Sequence, residues 1–284
     1  MIDSLKPQTE LSILRNASEV SLQMEPFPHI VIHDALPEEL ASYLTESFPS
    51  PEILTKNNNI RIDISADQVN SSDNIPAIWR EFINFHSSQK FFHEVVKIFD
   101  ASIVSNNSLQ LSSIKELLDL RVGTRNIDSF KTHDILLDSQ IAINSPVLKK
   151  SSVRKIHVDH TNKLYSGMLY LRQPHDDAIG GDLNLYKWKE GYTLKDKLKF
   201  YKESVDQSHV ELCKQIKYKN NVCILFLNSI DALHGVTARE ITSHQRTFVN
   251  FIGELPYDLF YKRNFFIRTL QNFKSLLRQL KNYL

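Results

Sequence analysis

The spacing of apolar residues changes along the chain and divides it into a helical part, a part of short strands and a helical tail. In the first half, apolar residues recur three and four positions apart through "NIPAIWREFINFHSSQKFFHEVVKIF" (74–99), and "SLQLSSIKELLDL" (108–120) continues in the same way. This periodicity predicts helices with one buried face. A strand is predicted earlier, in "FPHIVIHDAL" (27–36), followed by a helix in "PEELASYLTESF" (37–48), which begins with proline and two acids.

From residue 134 onward, the apolar residues fall in short runs that are separated by polar turns or by turns with proline or glycine. Runs of this length and composition are typical of strands. Because no long helix is predicted between them, they favour an antiparallel sandwich or barrel. The sequence therefore predicts an α+β fold with a mainly β core, whose strands lie in "ILLDSQIAI", "SGMLYLR", "DLNLYKW", "NNVCILFLN" and "RTFVNFIGEL".

The C-terminal residues return to helical spacing. Their apolar positions alternate intervals of four and three, which predicts an amphipathic helix. Packing of this helix on its own domain, homodimer formation through it, and attachment to a membrane surface are the alternatives that the pattern leaves open. The apolar face consists of Phe266, Leu270, Phe273, Leu277, Leu280 and Leu284.

Together these patterns predict an irregular segment over residues 1–25 and a single domain over residues 26–284. Within that domain we expect helical support at about 26–130, the β core at about 134–256 and the C-terminal helix at about 258–284. The lysine-rich stretch 187–219 is expected to form a lid, a peripheral helix or a solvated charged face.

The composition restricts the class of protein without identifying it. Apolar residues make up 42% and charged residues 24%, and the formal net charge of +1 gives no overall field that would attract nucleic acid or an anionic membrane. The two cysteines, Cys213 and Cys223, cannot form the disulfide framework of a small secreted domain. Since we find neither a signal-like segment nor a run of apolar residues long enough to span a bilayer, we expect a cytoplasmic protein.

The stretch "RKIHVDHTNKLYSGMLYL" (154–171) contains the first candidate for chemistry. In an extended segment, His157 and Asp159 point to the same side, so that an imidazole and a carboxylate could bind one cation. A third ligand should come from a distant strand, and "FLNSIDALHGVTARE" supplies His234 after an apolar strand and before a glycine turn. Two histidines and one carboxylate on one face of an octahedron leave three positions open, as in non-haem Fe(II) oxygenases. The alternative is that His157 and Asp159 lie in a solvent-exposed turn and bind no metal.

Arg246 adds a second functional group. It begins the strand "RTFVNF", twelve positions after His234. A planar guanidinium there could hold a carboxylate by two parallel hydrogen bonds, although an arginine at the start of a strand is most often a surface residue.

With these motifs, the chain resembles the prolyl-4-hydroxylase-like type of 2-oxoglutarate- and Fe(II)-dependent dioxygenases, which have a double-stranded β-helix, or jelly-roll, core. The resemblance runs from about residue 136 to 254 and includes "QIAINSPV", "HVDHTNKLYSGMLYLR", "GGDLNLY", "ILFLNSIDALHGVTARE" and "RTFVNFIGE". The strand and helix in "FPHIVIHDALPEELASYL" also resemble those of bacterial members.

The resemblance implies that His157, Asp159 and His234 bind iron and that Arg246 binds the distal carboxylate of 2-oxoglutarate. It places Tyr170 where related hydroxylases have a tyrosine that supports the same carboxylate. Asn144 and Asn250 could also contact the co-substrate, but local turn chemistry explains an asparagine equally well. Ascorbate is a further candidate cofactor.

The implied reaction is hydroxylation of an unidentified small-molecule, sugar-derived or peptidyl substrate by molecular oxygen, with release of succinate and CO2. Two alternatives stay open: a cupin-like isomerase or hydrolase that uses the same ligands without 2-oxoglutarate, and an inactive jelly-roll interaction protein. Neither nucleic acid nor a membrane is expected as a partner. Several basic residues flank the motif in sequence and would suit an anionic or polar substrate: Arg154, Lys155, Lys163, Arg172 and Arg239.

Overall fold

The computed structural model describes residues 8–17, 21–49, 58–104, 114–200 and 204–260. Within these ranges, ten strands form two sheets. The strands are β1 His29–His33, β2 Arg61–Ile64, β3 Val122–Thr124, β4 Ile135–Asn144, β5 Lys163–Tyr170, β6 Leu183–Trp188, β7 Val210–Ile216, β8 Val222–Leu227, β9 Leu233–Val236 and β10 Arg246–Glu254.

The larger sheet has the strand order β1-β8-β5-β10-β4-β2, and β3 pairs with β4 outside this path. The smaller sheet has the order β7-β6-β9. All pairs are antiparallel except β3 with β4. The α+β class and the mainly β second half that the sequence predicts are therefore confirmed.

Helices cover one face of the larger sheet. Aromatic residues of α4 (Ala77–His86) and α5 (Gln89–Val104) pack against that face and form a shared core with β5, β8 and β10. Phe82 on α4 lies with its ring centroid 6.4 Å from that of Phe251 on β10. The helices are α1 Gln8–Leu11, α2 Glu38–Glu46, α3 Ala66–Asn70, α4 Ala77–His86, α5 Gln89–Val104, α6 Ile114–Leu118 and α7 Leu194–Lys199.

The other face of the larger sheet packs on the smaller sheet. Met168, Ile224 and Phe248 from the larger sheet share a second core with Leu183 and Leu185 of β6. In each strand the side chains alternate between the two faces, so one face meets the helices and the other meets the smaller sheet. The space between the two sheets is where the candidate functional residues lie.

The structure differs from the sequence predictions in four places. The region at 26–130 contains three strands, β1, β2 and β3, besides its helices, whereas only the first was predicted. The lysine-rich stretch 187–219 contains the short exposed helix α7, which agrees with the predicted peripheral helix, but it also contains the strand β7. This strand was not predicted because most of its side chains are exposed. His234 lies inside β9, and Gly235 continues that strand instead of forming a turn. The segment 1–25, predicted to be irregular, contains the single helical turn α1.

The predicted C-terminal helix lies outside the described residues apart from its first three positions, and with it the homodimer that it would form. No helix among the described parts of the chain is long and apolar enough to cross a membrane.

The contact between α4 and β10 gives a test of the core. Phe82 is fully buried, with ring contacts to Trp79, His86 and Phe251. We expect Phe82→Ala to lower the free energy of unfolding by about 3–5 kcal/mol, because truncation of a buried aromatic side chain leaves a cavity. Urea denaturation measures this change.

The matched control is Phe130→Ala, because the Phe130 side chain is 39% exposed. We expect this variant to differ from the unmodified protein by less than about 1 kcal/mol. Equal losses in the two variants would contradict the assignment of the core.

Candidate metal centre

Three side chains that are distant in sequence meet between the two sheets. His157 lies on the segment before β5 and faces His234 of β9, and the two residues exchange backbone hydrogen bonds of 2.9 and 3.0 Å. Their ring centroids are 4.3 Å apart. Asp159 lies two positions further, and its Oδ1 is 3.6 Å from His157 Nε2. One candidate ligand atom from each of the three residues lies within 4.8 Å of the others.

Hydrogen bonds orient both imidazoles. The Nδ1 of His157 lies 2.8 Å from the carbonyl oxygen of Lys155, and the Nδ1 of His234 lies 2.9 Å from that of Ala232. A carbonyl oxygen can only accept, so each Nδ1 carries the proton. In the neutral imidazole, each Nε2 then keeps a lone pair that can bind a cation, as in metal sites where the second ring nitrogen is fixed by a carbonyl.

The carboxylate of Asp159 is held from the other side. Its Oδ2 accepts hydrogen bonds from Ser166 Oγ at 2.5 Å and from Lys163 Nζ at 3.3 Å. Burial raises the pKa of Asp159. The opposing effect of Lys163, together with those of the neighbouring histidines, is larger, so the pKa lies well below its ordinary value. The carboxylate is thus ionised at neutral pH.

Burial has the opposite consequence for His234. Removal from water lowers its pKa to about 3, and the neighbouring His157 acts in the same direction. Because a lowered pKa favours the neutral imidazole, His234 offers an unprotonated Nε2 throughout the physiological pH range. Two imidazoles and one carboxylate that can meet on one side of an ion fit the ligand set of non-haem Fe(II).

A cavity of about 460 Å³ contains these three residues and extends to Arg246. Its walls come from both sheets: Phe226 and Phe248 belong to the larger sheet, and Leu183 and Val236 to the smaller one. The volume is within the range of small-molecule sites.

Arg246, at the start of β10, has a relative exposure of 1%. Its Nε donates to the carbonyl oxygen of Gly181 at 2.9 Å, and its Nη1 donates to Asn144 Oδ1 at 3.2 Å. The third nitrogen, Nη2, has no hydrogen-bond partner among the described residues. A buried guanidinium that has one nitrogen without a hydrogen bond and no carboxylate partner among the described residues fits an anion, since leaving donors unpaired is unfavourable.

Aromatic rings surround this guanidinium. Its Cζ lies 4.9 Å from the ring centroid of Tyr170, 5.1 Å from that of Tyr218 and 4.6 Å from that of Phe248. Burial raises the pKa of Tyr170, although the charge of Arg246 opposes the change. The Tyr170 hydroxyl therefore stays protonated and can donate a hydrogen bond. In the described part of the chain it has no partner, and the Nδ2 of Asn144 has none either.

The remaining position predicted to contact the co-substrate differs from these. Asn250 lines the cavity, but its Nδ2 donates to Gln140 Oε1 at 2.9 Å. Gln140 in turn donates to Asp138 at 2.8 Å. Asn250 thus belongs to a polar chain across the larger sheet, and its amide donor is already used.

Sequence reasoning did not identify the partners that hold the predicted ligands. Ser166, on β5, is the main example, and it shares the inward-facing side of that strand with Met168 and Tyr170. That alternation was a signal available in the sequence. Tyr218, whose ring lies beside Arg246, has no such signal because it lies in a loop.

We expect His234→Ala to weaken Mn(II) binding at least about 100-fold, because changes to the partners of metal ligands alone cost about 10- to 100-fold in affinity. The matched control is His33→Ala, which removes an exposed histidine of β1 and should leave the affinity unchanged. Titration followed by the EPR signal of free Mn(II) measures both. Unaltered binding in His234→Ala would contradict the assignment of this ligand.

Ser166→Ala should weaken Mn(II) binding about 10- to 100-fold by removing the hydrogen bond that orients Asp159. Ser139→Ala is its control, since the hydroxyl of this buried serine on β4 has no partner among the described residues. A similar loss of metal affinity in both variants would show that Ser166 acts only through packing.

The comparisons with known proteins give structural matches only. No protein-family model matches the sequence, and a search of curated proteins gives no significant match. A prolyl 4-hydroxylase from Pseudomonas putida is 13% identical, with 80% of this chain and 92% of that chain covered and a TM-score of 0.40. A prolyl 4-hydroxylase from Phytophthora capsici is 12% identical, with 90% and 68% covered and a TM-score of 0.48.

The viral collagen prolyl hydroxylase of Paramecium bursaria Chlorella virus-1, solved as a complex with 2-oxoglutarate, is 12% identical, with 81% and 96% covered and a TM-score of 0.35. The solved structures that the chain matches thus include prolyl 4-hydroxylases, the type that the sequence resembles.

Proposed function

We propose that this chain is an Fe(II)- and 2-oxoglutarate-dependent dioxygenase that hydroxylates a small-molecule, sugar-derived or peptidyl substrate and releases succinate and CO2. One observation carries the proposal: the His-Asp-His set and a buried arginine with an unused donor line the same cavity. A cupin-like isomerase or hydrolase would need only the metal ligands. A jelly-roll protein that only binds partners would need neither.

In this proposal, His157, Asp159 and His234 hold the iron. The hydrogen bonds of both Nδ1 atoms to backbone carbonyl oxygens leave each Nε2 for the cation, and the low pKa of His234 keeps that imidazole neutral. Lys163 and Ser166 keep Asp159 ionised and oriented. When bound, the iron and 2-oxoglutarate supply the oxidising chemistry, and the protein positions the substrate.

Arg246 binds the distal carboxylate of 2-oxoglutarate through its unused Nη2. Asn144 Nδ2 and the Tyr170 hydroxyl, which have no partner among the described residues, supply further donors at this end of the cavity. Binding of an anion would satisfy buried groups that are otherwise unpaired, which accounts for specificity as well as affinity. Asn250 contributes to the cavity wall.

The two facing sheets support a double-stranded β-helix. Both sheets contribute to the site: β9 provides His234 and β10 provides Arg246. In such a fold the metal and the co-substrate would lie between the sheets, where the side chains of the larger sheet alternate with those that face the helices.

The direct test is anaerobic addition of Fe(II) and 2-oxoglutarate to the purified protein, followed by admission of oxygen. We expect a visible metal-to-ligand charge-transfer band from the chelate, and then succinate. Metal binding without the band would favour the cupin-like alternative. Absence of metal binding would favour the interaction protein.

Arg246→Ala should weaken 2-oxoglutarate binding to the Mn(II)-loaded protein at least about 30-fold, because loss of one partner of a buried charge pair costs about 2 kcal/mol or more. Arg246→Lys should give an intermediate loss, since lysine keeps the charge without the planar fork. Isothermal titration calorimetry measures both, and circular dichroism shows whether each variant is folded. A folded Arg246→Ala variant with normal affinity would contradict the proposal.

Tyr170→Phe keeps the ring beside the guanidinium and removes only the hydroxyl, so we expect about tenfold weaker 2-oxoglutarate binding. Tyr165→Phe is a close control, because Tyr165 is also a buried tyrosine of β5 whose hydroxyl has no described partner, but it belongs to the core under the helices. Calorimetry should show a normal affinity for that variant. Equal effects would mean that the Tyr170 hydroxyl does not contact the co-substrate.

A further inference from the structure

The walls of the cavity carry more positive than negative charge. Five cationic side chains and three carboxylates line it. Fe(II) and 2-oxoglutarate carry opposite charges of equal size, so their binding leaves this difference unchanged. The cations are Arg61, Arg125, Arg154, Lys163 and Arg246, and the carboxylates are Asp63, Asp159 and Glu254.

Three of these cations have a carboxylate partner. Arg61 lies 2.8 Å from Asp63, Arg125 lies 3.5 Å from Glu254, and Lys163 lies 3.3 Å from Asp159. Arg246 is assigned to the co-substrate by the proposed function. This leaves Arg154, which forms no ion pair with any described carboxylate.

Arg154 lies directly beside the metal ligands. Its Nε donates to His157 Nε2 at 3.0 Å. The backbone around it is fixed on β9, because its carbonyl oxygen accepts from Val236 N at 2.9 Å and the preceding Ser152 Oγ donates to the Val236 carbonyl oxygen at 2.6 Å. As a residue, Arg154 is exposed, whereas its hydrogen bond to His157 is partly buried.

A lone pair on Nε2 cannot serve a guanidinium and a metal ion at once. When His157 binds iron, Arg154 must give up this hydrogen bond, and its guanidinium becomes available to another acceptor beside the metal site. Besides apolar residues such as Leu183, Phe226 and Phe248, the cavity wall includes the ion pairs of Arg61 and Arg125. An acceptor brought by the substrate, beside the reacting centre, satisfies both the geometry and the excess of positive charge.

We propose that Arg154 binds an anionic group of the primary substrate, a carboxylate or a phosphate, and that this site therefore takes small anionic substrates. The inference rests on the proposed function, because it assigns His157 to the metal and Arg246 to 2-oxoglutarate. A guanidinium binds both oxyanions by paired hydrogen bonds, so its chemistry selects the charge and leaves the carbon skeleton to other residues.

The test uses the full chain loaded with Mn(II) and 2-oxoglutarate under anaerobic conditions, with inorganic phosphate and acetate as separate probes. Paramagnetic enhancement of ³¹P relaxation for phosphate, and of ¹H relaxation for acetate, reports an anion close to the metal. We expect a saturable enhancement for at least one probe, and the stronger response identifies the preferred oxyanion. Arg154→Gln should weaken that binding at least about tenfold, while Mn(II) binding is retained or becomes tighter.

Arg15→Gln is the matched control, because Arg15 is an exposed arginine outside the cavity lining, and it should keep the response. Arg154→Lys should be intermediate. Normal loading with no saturable enhancement, or with an enhancement that Arg154→Gln retains, overturns the assignment of Arg154 alone. Failure of the unmodified protein to bind Mn(II) or 2-oxoglutarate overturns the proposed function and this inference together.

Discussion

The site depends on one pair of backbone hydrogen bonds, those between His157 and His234. Side chains of directly opposed residues in an antiparallel pair project to the same side, so this register brings the two imidazoles together and Asp159 follows two positions on. A slip by one residue would turn these side chains away. Gly235 makes the approach possible, because a Cβ there would lie 3.1 Å from the backbone nitrogen of Ile156.

The charges and protonation states of the cavity residues suit a cation at one end of the cavity and an anion at the other. Burial keeps His234 neutral, whereas the charge of Lys163 helps to keep Asp159 ionised. At the far end, Arg246 is a buried cation without a carboxylate partner among the described residues, an arrangement that destabilises a fold. Stability alone does not account for this arginine, but binding of an anion would offset its cost.

Many features of the fold and of the site could be predicted from short patterns in the sequence. The alternation of His157 and Asp159, and an arginine that opens a strand, are properties of a few adjacent residues, and the strongly apolar strands β4, β8 and β10 are visible in the sequence. Strand β7 has mostly exposed side chains, so it lacks the apolar signal and depends on pairing with β6. Alternation along β5 indicates which way Ser166 faces, but its hydrogen bond to Asp159, like that of Arg154 to His157, depends on side-chain conformations that periodicity does not encode.

The orientation of Arg246 explains how a buried guanidinium can remain available to a ligand. Gly180 and Gly181 have positive φ angles of 88° and 83°, and a Cβ on Gly181 would lie 3.1 Å from the Arg246 Cδ. Only glycine lets this turn come so close that its carbonyl oxygen accepts from Nε. The Gly181 carbonyl oxygen and the Asn144 amide oxygen fix the plane of the Arg246 guanidinium without neutralising its charge. A carboxylate partner in the protein would orient the fork equally well but would cancel the charge that attracts an anionic ligand.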